Sequence, residues 1–414
     1  MPASHRRRPS LTASCAALLA AFSSPAWADP APSYFELLAR LDQSPAAVEA
    51  GALVDAADAR VRQAGVRPNP TVSLDVENAF GSGPFSGFSN AESTFAVTQD
   101  LELWGRRQAR VDVARAEAGT AVLQRDLAVI DAAGRLALAY AEAEAAQRRA
   151  ELAEEGLDLA LADARAALTL VEAGREPLFR GIQGEAEVAV ARATYDEAIA
   201  ERDAAFARLT AVAMLAAPVT EITISLLDLE PRSIPSGDVA PTVRVAEAER
   251  QAAERRVGVE RARTRPDVSV SVGFRRYEVE DATALTFGIS MPLPFFDRNR
   301  GNIDAAQAEV RAADARLVSA RQDAQADHAA AEARLASSAS RVRAADAGVS
   351  AAEEAYRLAR LGFDAGRISQ LELRATRTAL ISARSTAIDA RLARVRAEID
   401  LARLEGRLPF QGAQ

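Results

Sequence analysis

Apolar and polar residues alternate strictly in four short stretches of the chain. Residues 66–80 read V-R-P-N-P-T-V-S-L-D-V-E-N-A-F, with Val72, Leu74 and Val76 opposite Ser73, Asp75 and Glu77. A second stretch, T-R-P-D-V-S-V-S-V-G-F at 264–274, repeats the Arg-Pro opening and sets Val268, Val270, Val272 and Phe274 opposite Ser269, Ser271, Gly273 and Arg275. Each has a return partner. Phe95 and Val97 face away from Thr94, Ala96 and Thr98; Leu285, Phe287, Ile289 and Met291 face away from Thr286, Gly288 and Ser290. A period of two with one apolar and one polar side predicts strands whose faces meet different environments. The expected limits are about 70–78, 93–103, 266–277 and 284–293.

Between the strands the period changes. No proline interrupts residues 106–173 or 300–365, and at 1.5 Å per residue helices of that length extend roughly 100 Å. Apolar residues recur at steps of three and four, the spacing of a coiled-coil seam. The stripes are Leu157, Leu161, Ala164, Leu168 and Val171, then Tyr195, Ile199, Phe206 and Leu209, with Arg202 at the step between Ile199 and Phe206. Val349, Ala352, Tyr356, Ala359 and Phe363 follow, and then Ile388, Leu392, Val395 and Ile399. Gly174 and Gly366 sit where the two long patterns stop, and glycine there predicts a left-handed helix end with an immediate reversal.

The chain is written twice. Arg67-Pro68 recurs at Arg265-Pro266, 198 residues on; Leu101 to Arg106 matches Leu293 to Arg298, and Ala173-Gly174-Arg175 matches Ala365-Gly366-Arg367, both at 192. The expected organisation is a first repeat within 29–217, a connecting segment 218–240, a second repeat 241–408 and a tail 409–414. Each repeat runs helix, two strands, very long helix, tight turn, long helix. The connection holds Pro218, Pro231, Pro235 and Gly237 and reads as loop-rich. The fold class is mainly α with a small β part.

Composition narrows the chemistry. Hydrophobic residues make up 49% of the chain but aromatics only 5%, and no lysine occurs. Alanine dominates, which favours close-packed helices. His5 and Arg6 to Arg8, the apolar run Leu11 to Phe22 and Ala26-Trp27-Ala28 form a secretory signal peptide over 1–28, with an A-x-A cleavage site. The alternative of a lipid on Cys15 lacks the expected leucine before it. Cleavage takes the net charge from −8 to −11 and removes the only cysteine, one of two histidines and one of two tryptophans. What remains has His328, Met214 and Met291 but no thiol, so no metal centre, cofactor site or nucleophile is expected. The chain is not expected to be an enzyme, and its acidity argues against nucleic acid as partner.

The strands keep membrane company. They are about ten residues long, the span of a membrane strand. Phe80, Phe85, Phe88 and Tyr277 border their loop ends; Trp104, Phe295 and Phe296 border their helix ends. That distribution matches the aromatic girdles of an outer-membrane barrel. Four strands cannot close a barrel, and an open edge cannot sit in lipid, so a membrane reading requires several chains. The rival reading is a periplasmic coiled-coil scaffold without a pore.

These features together resemble the TolC-type outer membrane factors over nearly the whole exported chain. The stretches R67-P-N-P-T-V-S-L-D-V-E-N, G81-S-G-P-F-S-G-F and E92-S-T-F-A-V-T-Q-D-L-E-L-W-G-R-R-Q-A-R are similar to the outer membrane component of cobalt-zinc-cadmium efflux systems. The resemblance implies a homotrimer with a 12-stranded barrel in outer-membrane lipid and a helical tunnel through the periplasm. It implies a passive duct served by a periplasmic adaptor and an inner-membrane, proton-driven RND-type pump, exporting divalent heavy-metal cations. Drugs or polypeptides are the alternative cargoes. It places adaptor docking at the tips, Gly174, Arg175 and Leu178 with Gly366, Arg367 and Leu371, and a possible pore gate at Asp364, Glu372 and Arg374. The family often has acids after the second tip; Arg374 departs from that pattern. A plain helix-end role for Arg175 and Arg367 is the competing expectation.

Overall fold

The computed structural model describes residues 30–230 and 239–410. The signal peptide with Cys15, Pro231, Pro235 and Gly237 of the connection, and residues 411–414 of the tail lie outside the described residues. A short helix α1 (Tyr34–Leu38) leads through a 3-10 turn to α2 (Pro45–Ala64), which starts with Ser44 accepting from the Ala47 N–H and proline in the first turn. Then come β1 (Thr71–Glu77), β2 (Glu92–Leu101), α3 (Arg106–Glu172) and α4 (Leu178–Val212). The second half repeats the order with α5 (Pro241–Arg263), β3 (Val268–Tyr277), β4 (Ala282–Ser290), α6 (Arg300–Asp364) and α7 (Gln370–Glu405).

Strand β4 stops at Ser290, short of the expected 293, because Pro292 and Pro294 cannot donate to a ladder. β2 likewise ends at Leu101, where the Leu103 N–H turns back onto the Leu101 carbonyl. The four strands form one antiparallel sheet in the order β1-β2-β3-β4. The two repeats therefore share a sheet, joined at β2–β3. Its register aligns Leu74, Phe95, Phe274 and Leu285 in one row and Val72, Val97, Val272 and Phe287 in the next. Phe95 and Phe274 stack with ring centroids 5.4 Å apart.

The long helices, 67 and 65 residues, pair with their shorter partners as two hairpins, α3/α4 and α6/α7. The hairpins meet along α3 and α7. Several helical charges pair across this junction. Arg377 meets Asp163, Arg384 meets Glu155, Arg149 meets Asp389, Arg396 meets Glu142 and Arg403 meets Asp131.

The main core lies near the middle of α3, not along a single seam. Ala133, Ala137, Tyr140, Ala141, Ala143 and Ala145 are completely buried. Burial here runs around the helix because α1, α4, α7 and the connecting segment all reach it. Alanine is the residue that lets so many neighbours approach one backbone.

Candidate functional site: sheet, tips and equatorial clamp

The sheet offers two unlike faces. Its apolar rows are exposed: Leu74, Val272, Leu285, Phe287 and Ile289 are all more than half accessible. An uncovered apolar face of this kind marks a membrane or partner surface. The opposite face carries Ser73, Asp75, Glu77, Glu92, Thr94, Thr98, Asp100, Ser271 and Arg275. Glu77 and Glu92 stand directly opposite one another, a like-charge pairing that would destabilise the ladder. Arg275 relieves it by reaching both carboxylates, at 3.2 and 3.1 Å, while donating to Thr94 Oγ1. This face is tightly coiled. A Cβ at Gly273 would lie 2.3 Å from the Phe95 carbonyl oxygen, and one at Gly288 would lie 2.5 Å from Ser271 Oγ. At Gly273, where the crowding atoms are backbone, only glycine permits that approach; at Gly288 a side chain would have to displace the Ser271 hydroxyl.

Trp104, Phe295 and Phe296 sit at the strand-to-helix junctions and are exposed. Trp104 has a positive φ of 64°, and Gly105 after it has φ 78°. Phe295 closes onto the Leu293 carbonyl as Leu103 closes onto Leu101, so both junctions use the same tight turn. Arg106 binds Asp267, and Arg110 binds Glu102. These ion pairs fasten strand ends to helix starts.

The two tips are built alike. At the first, the Gly174 N–H donates to Val171 O and the Arg175 N–H to Leu170 O; at the second, Gly366 donates to Phe363 O and Arg367 to Gly362 O. Both glycines have positive φ, 65° and 69°. This is the Schellman closure, with the arginines as the second residue past the cap. Leu178 and Leu371 are exposed beside the tips. Asp364 ends α6 in solvent. Glu372 accepts from the Ser369 N–H at 2.7 Å in a capping box, and those hydrogen bonds hold its carboxyl below the usual range. Arg374 pairs with Glu187 of α4, and burial depresses its guanidinium pKa. One gate candidate therefore caps its own helix and another ties the two hairpins together.

Sequence reasoning missed a polar clamp at the equator. Glu144 of α3, 3% exposed, accepts from the Leu226 and Leu227 N–H groups at 2.8 and 3.0 Å. It also accepts from Ser225 Oγ and from Arg148, each at 2.6 Å. Tyr140 Oη donates to the Ile224 carbonyl, and Gln147 Oε1 receives the Ile222 N–H. From the other side Arg394 of α7 donates to the Leu227 and Leu229 carbonyls. The connecting segment is thus fastened to both repeats. Burial would raise the Asp228 pKa, but Arg148, Ser225 and Arg391 hold it below the ordinary value. Glu398 shows the opposite balance: burial raises its pKa despite a 2.6 Å hydrogen bond from Arg407. The signal for this clamp was faint: Glu144 is one of two glutamates, with Glu142, inside an alanine-rich run.

His328 has Glu332 at 3.7 Å and Glu405 at 3.6 Å. No group of three or more His, Cys, Asp or Glu placed to hold a metal ion occurs among the described residues. None of the described helices is long and apolar enough to cross a membrane.

Known proteins share this architecture. A crystal structure of CusC superposes with a TM-score of 0.76 at 18% identity, over 90% of this chain and 92% of that one. The open-state MtrE channel of Neisseria gonorrhoeae gives 0.75 at 22% identity, over 92% and 91%. Among relatives, the nickel-cobalt-cadmium resistance protein NccC of Alcaligenes xylosoxydans xylosoxydans is 40% identical over 92% of this chain and 88% of its own length. The nickel and cobalt resistance protein CnrC of Cupriavidus metallidurans is 41% identical over 71% of each. The outer membrane efflux protein family matches residues 39–213 and 238–407, one span in each half of the duplicated chain, and to that family this chain belongs.

Proposed function

We propose that three copies of the chain close a 12-stranded barrel in the outer membrane and continue it as a helical tunnel. The observation that carries this reading is the sheet: one exposed apolar face, one polar face, and two unpaired edges at β1 and β4. Unpaired edges are intolerable in hydrocarbon, so the sheet needs further copies on both sides. The apolar face meets lipid, with Trp104, Phe295 and Phe296 at the inner interface, and the polar face lines the pore.

The cargo is divalent heavy-metal cations, supported by relatives whose names specify nickel, cobalt and cadmium resistance. The chain acts as a passive duct: no step needs a ligand cluster, and hydrated ions pass through. The signal peptide over 1–28 exports it. A periplasmic adaptor docks at Gly174, Arg175 and Leu178 and at Gly366, Arg367 and Leu371, and an inner-membrane RND-type pump loads the duct. Asp364 and Glu372 border the periplasmic mouth, and the Arg374–Glu187 pair holds it narrow.

Growth of a deletion strain across graded nickel, cobalt, cadmium, zinc and a panel of hydrophobic drugs tests the cargo. Sensitivity to the metals alone, reversed by the intact gene, is expected. Sensitivity to drugs alone would overturn the metal assignment and leave the duct.

A further inference from the structure

A pore lining suited to cations gains from Asp75, Glu77, Glu92 and Asp100, yet the same polar face also holds an arginine. Within the four strands the basic residues are Arg275 and Arg276, both on β3. Arg276 belongs to the other face and is held beside its own turn by Glu278 and Asp281, at 3.0 and 2.8 Å. Arg275 is the cation that remains on the polar face.

Its guanidinium does not stand off that face. Nε donates to Thr94 Oγ1 at 2.9 Å, Nη1 donates to Glu92 at 3.1 Å, and Nη2 reaches Glu77 at 3.2 Å. Thr94 and Glu92 are on β2, and Glu77 is on β1, two strands from β3. Two strand spacings are about 9–10 Å, so the side chain has to lie along the sheet to make all of these contacts. Strand side chains otherwise stand roughly perpendicular to it. The Arg275 side chain is 32% exposed, against 50% for Arg276. Glu92 is fixed from its other oxygen as well, where Asn78 donates at 3.2 Å. Toward the opposite edge Arg275 has Ala284 beside it and Ala282 in the next row, and neither side chain offers an acceptor.

We propose that Arg275 is a specificity-determining residue of the duct: strapped across β2 to β1, it keeps its charge against the wall, and the Glu77–Glu92 pair is what holds it there. This rests on the barrel reading above. The arrangement meets two demands at once. Directly opposed carboxylates need a cation to relieve them, and a cation projecting into the pore from every copy would repel the cargo. Charge-assisted hydrogen bonds are roughly twice as strong as neutral ones, so the two carboxylates, rather than Thr94, set the position of the guanidinium. Without them Thr94 holds only Nε, and the Nη groups turn to the lumen. A ring of guanidinium groups then replaces an acidic wall, and this mouth of the pore attracts anions.

The test is single-channel recording from the full chain in planar bilayers, with hexacyanoferrate(II), a tetravalent anion, added to each side in turn. The effect is expected from one side only, that of the strand loops. The release variant carries Asp75→Ala, Glu77→Ala and Glu92→Ala; Asp75 is included because it stands on β1 in the same row as Arg275. Its half-blocking concentration is expected to fall at least about tenfold below wild type, the low end of what a cleft of one charge sign does to its counter-ions. Adding Arg275→Gln to that background should abolish the gain, although the acids are still missing. If the triple variant forms no channels, Glu77→Ala with Glu92→Ala carries the same expectation and the same control. Equal block with and without Arg275, or a wild type already blocked at the variant's concentration, overturns the inference and leaves the duct. A wild-type chain that forms no channels overturns both.

Discussion

Replacing Glu144 by alanine tests the equatorial clamp. The substitution removes the acceptor for four donors: the Leu226 and Leu227 N–H groups, Ser225 Oγ and Arg148. Ser225 keeps Asp228 as a partner at 3.0 Å, and Arg148 keeps the same carboxylate at 2.5 Å. The two backbone N–H groups have no such alternative, and Leu226 and Leu227 are buried. Each buried donor left unpaired costs about 1–3 kcal/mol. Together they should destabilise the local fold by about 3–5 kcal/mol, the range for breaking a buried charged contact.

The assay is amide hydrogen exchange at Leu226 and Leu227. With about 1.4 kcal/mol per factor of ten, the alanine variant should lose at least about a hundredfold in protection there. Glu144→Gln keeps one oxygen for the two N–H groups and forfeits the charge on Arg148, a loss of about 1–2 kcal/mol. It should lose about tenfold. The ordering alanine, glutamine, wild type is the signature. Equal protection in wild type and the alanine variant would falsify the reading, because Leu226 and Leu227 would then be held by something other than this carboxylate.

Other perturbations follow from individual positions. Gly184→Val should destabilise the α3/α4 hairpin by about 1–3 kcal/mol in thermal unfolding, since a Cβ there lies 3.1 Å from Ala164 Cα. Gly258→Ala, in open space on α5, should stabilise by up to about 1 kcal/mol. Stability against pH should separate two carboxylates. Asp228 has a lowered folded pKa, so its contribution is complete above the ordinary 3.8 and is lost as pH falls through the folded value. Asp228→Asn should flatten that acid limb. Glu398 has a raised folded pKa, so its cost appears as pH rises past the ordinary 4.5, and Glu398→Gln should remove it; unchanged midpoints across pH 3 to 8 in either variant would refute the assignment. In planar bilayers, Asp75→Asn with Asp100→Asn should lower the cation preference of the pore severalfold, because acids outnumber the single Arg275 on the polar face and such linings focus counter-ions.

How much of this could be read beforehand depended on the range of each interaction. Strands, long helices and tips were legible because they follow from local rules: alternation at Val72 and Leu74, proline-free alanine runs, and glycine at 174 and 366 where only φ above zero closes the turn. The β4 end was misplaced by three residues because alternation continues through Leu293 while Pro292 has already broken the ladder. The equatorial clamp was not legible. Glu144 and Leu226 are 82 residues apart, and nothing in the spacing announces a carboxylate that caps a distant loop. The Arg374–Glu187 contact was hidden for the same reason. Glu372 lies on the borderline: Ser369-x-x-Glu372 is a capping box in plain sight, and the same position just past the second tip also fits a gate.

The clamp breaks the duplication, and that break makes it a property of the folded chain rather than of either repeat. The equivalents of Tyr140, Glu144 and Arg148 at the 192-residue shift are Glu332, Ala336 and Ser340, none able to repeat its counterpart's role. The clamp is where the two repeats stop being interchangeable, and all of its partners lie in one chain. Damage at the clamp should therefore appear in the isolated chain as local opening before any effect on assembly.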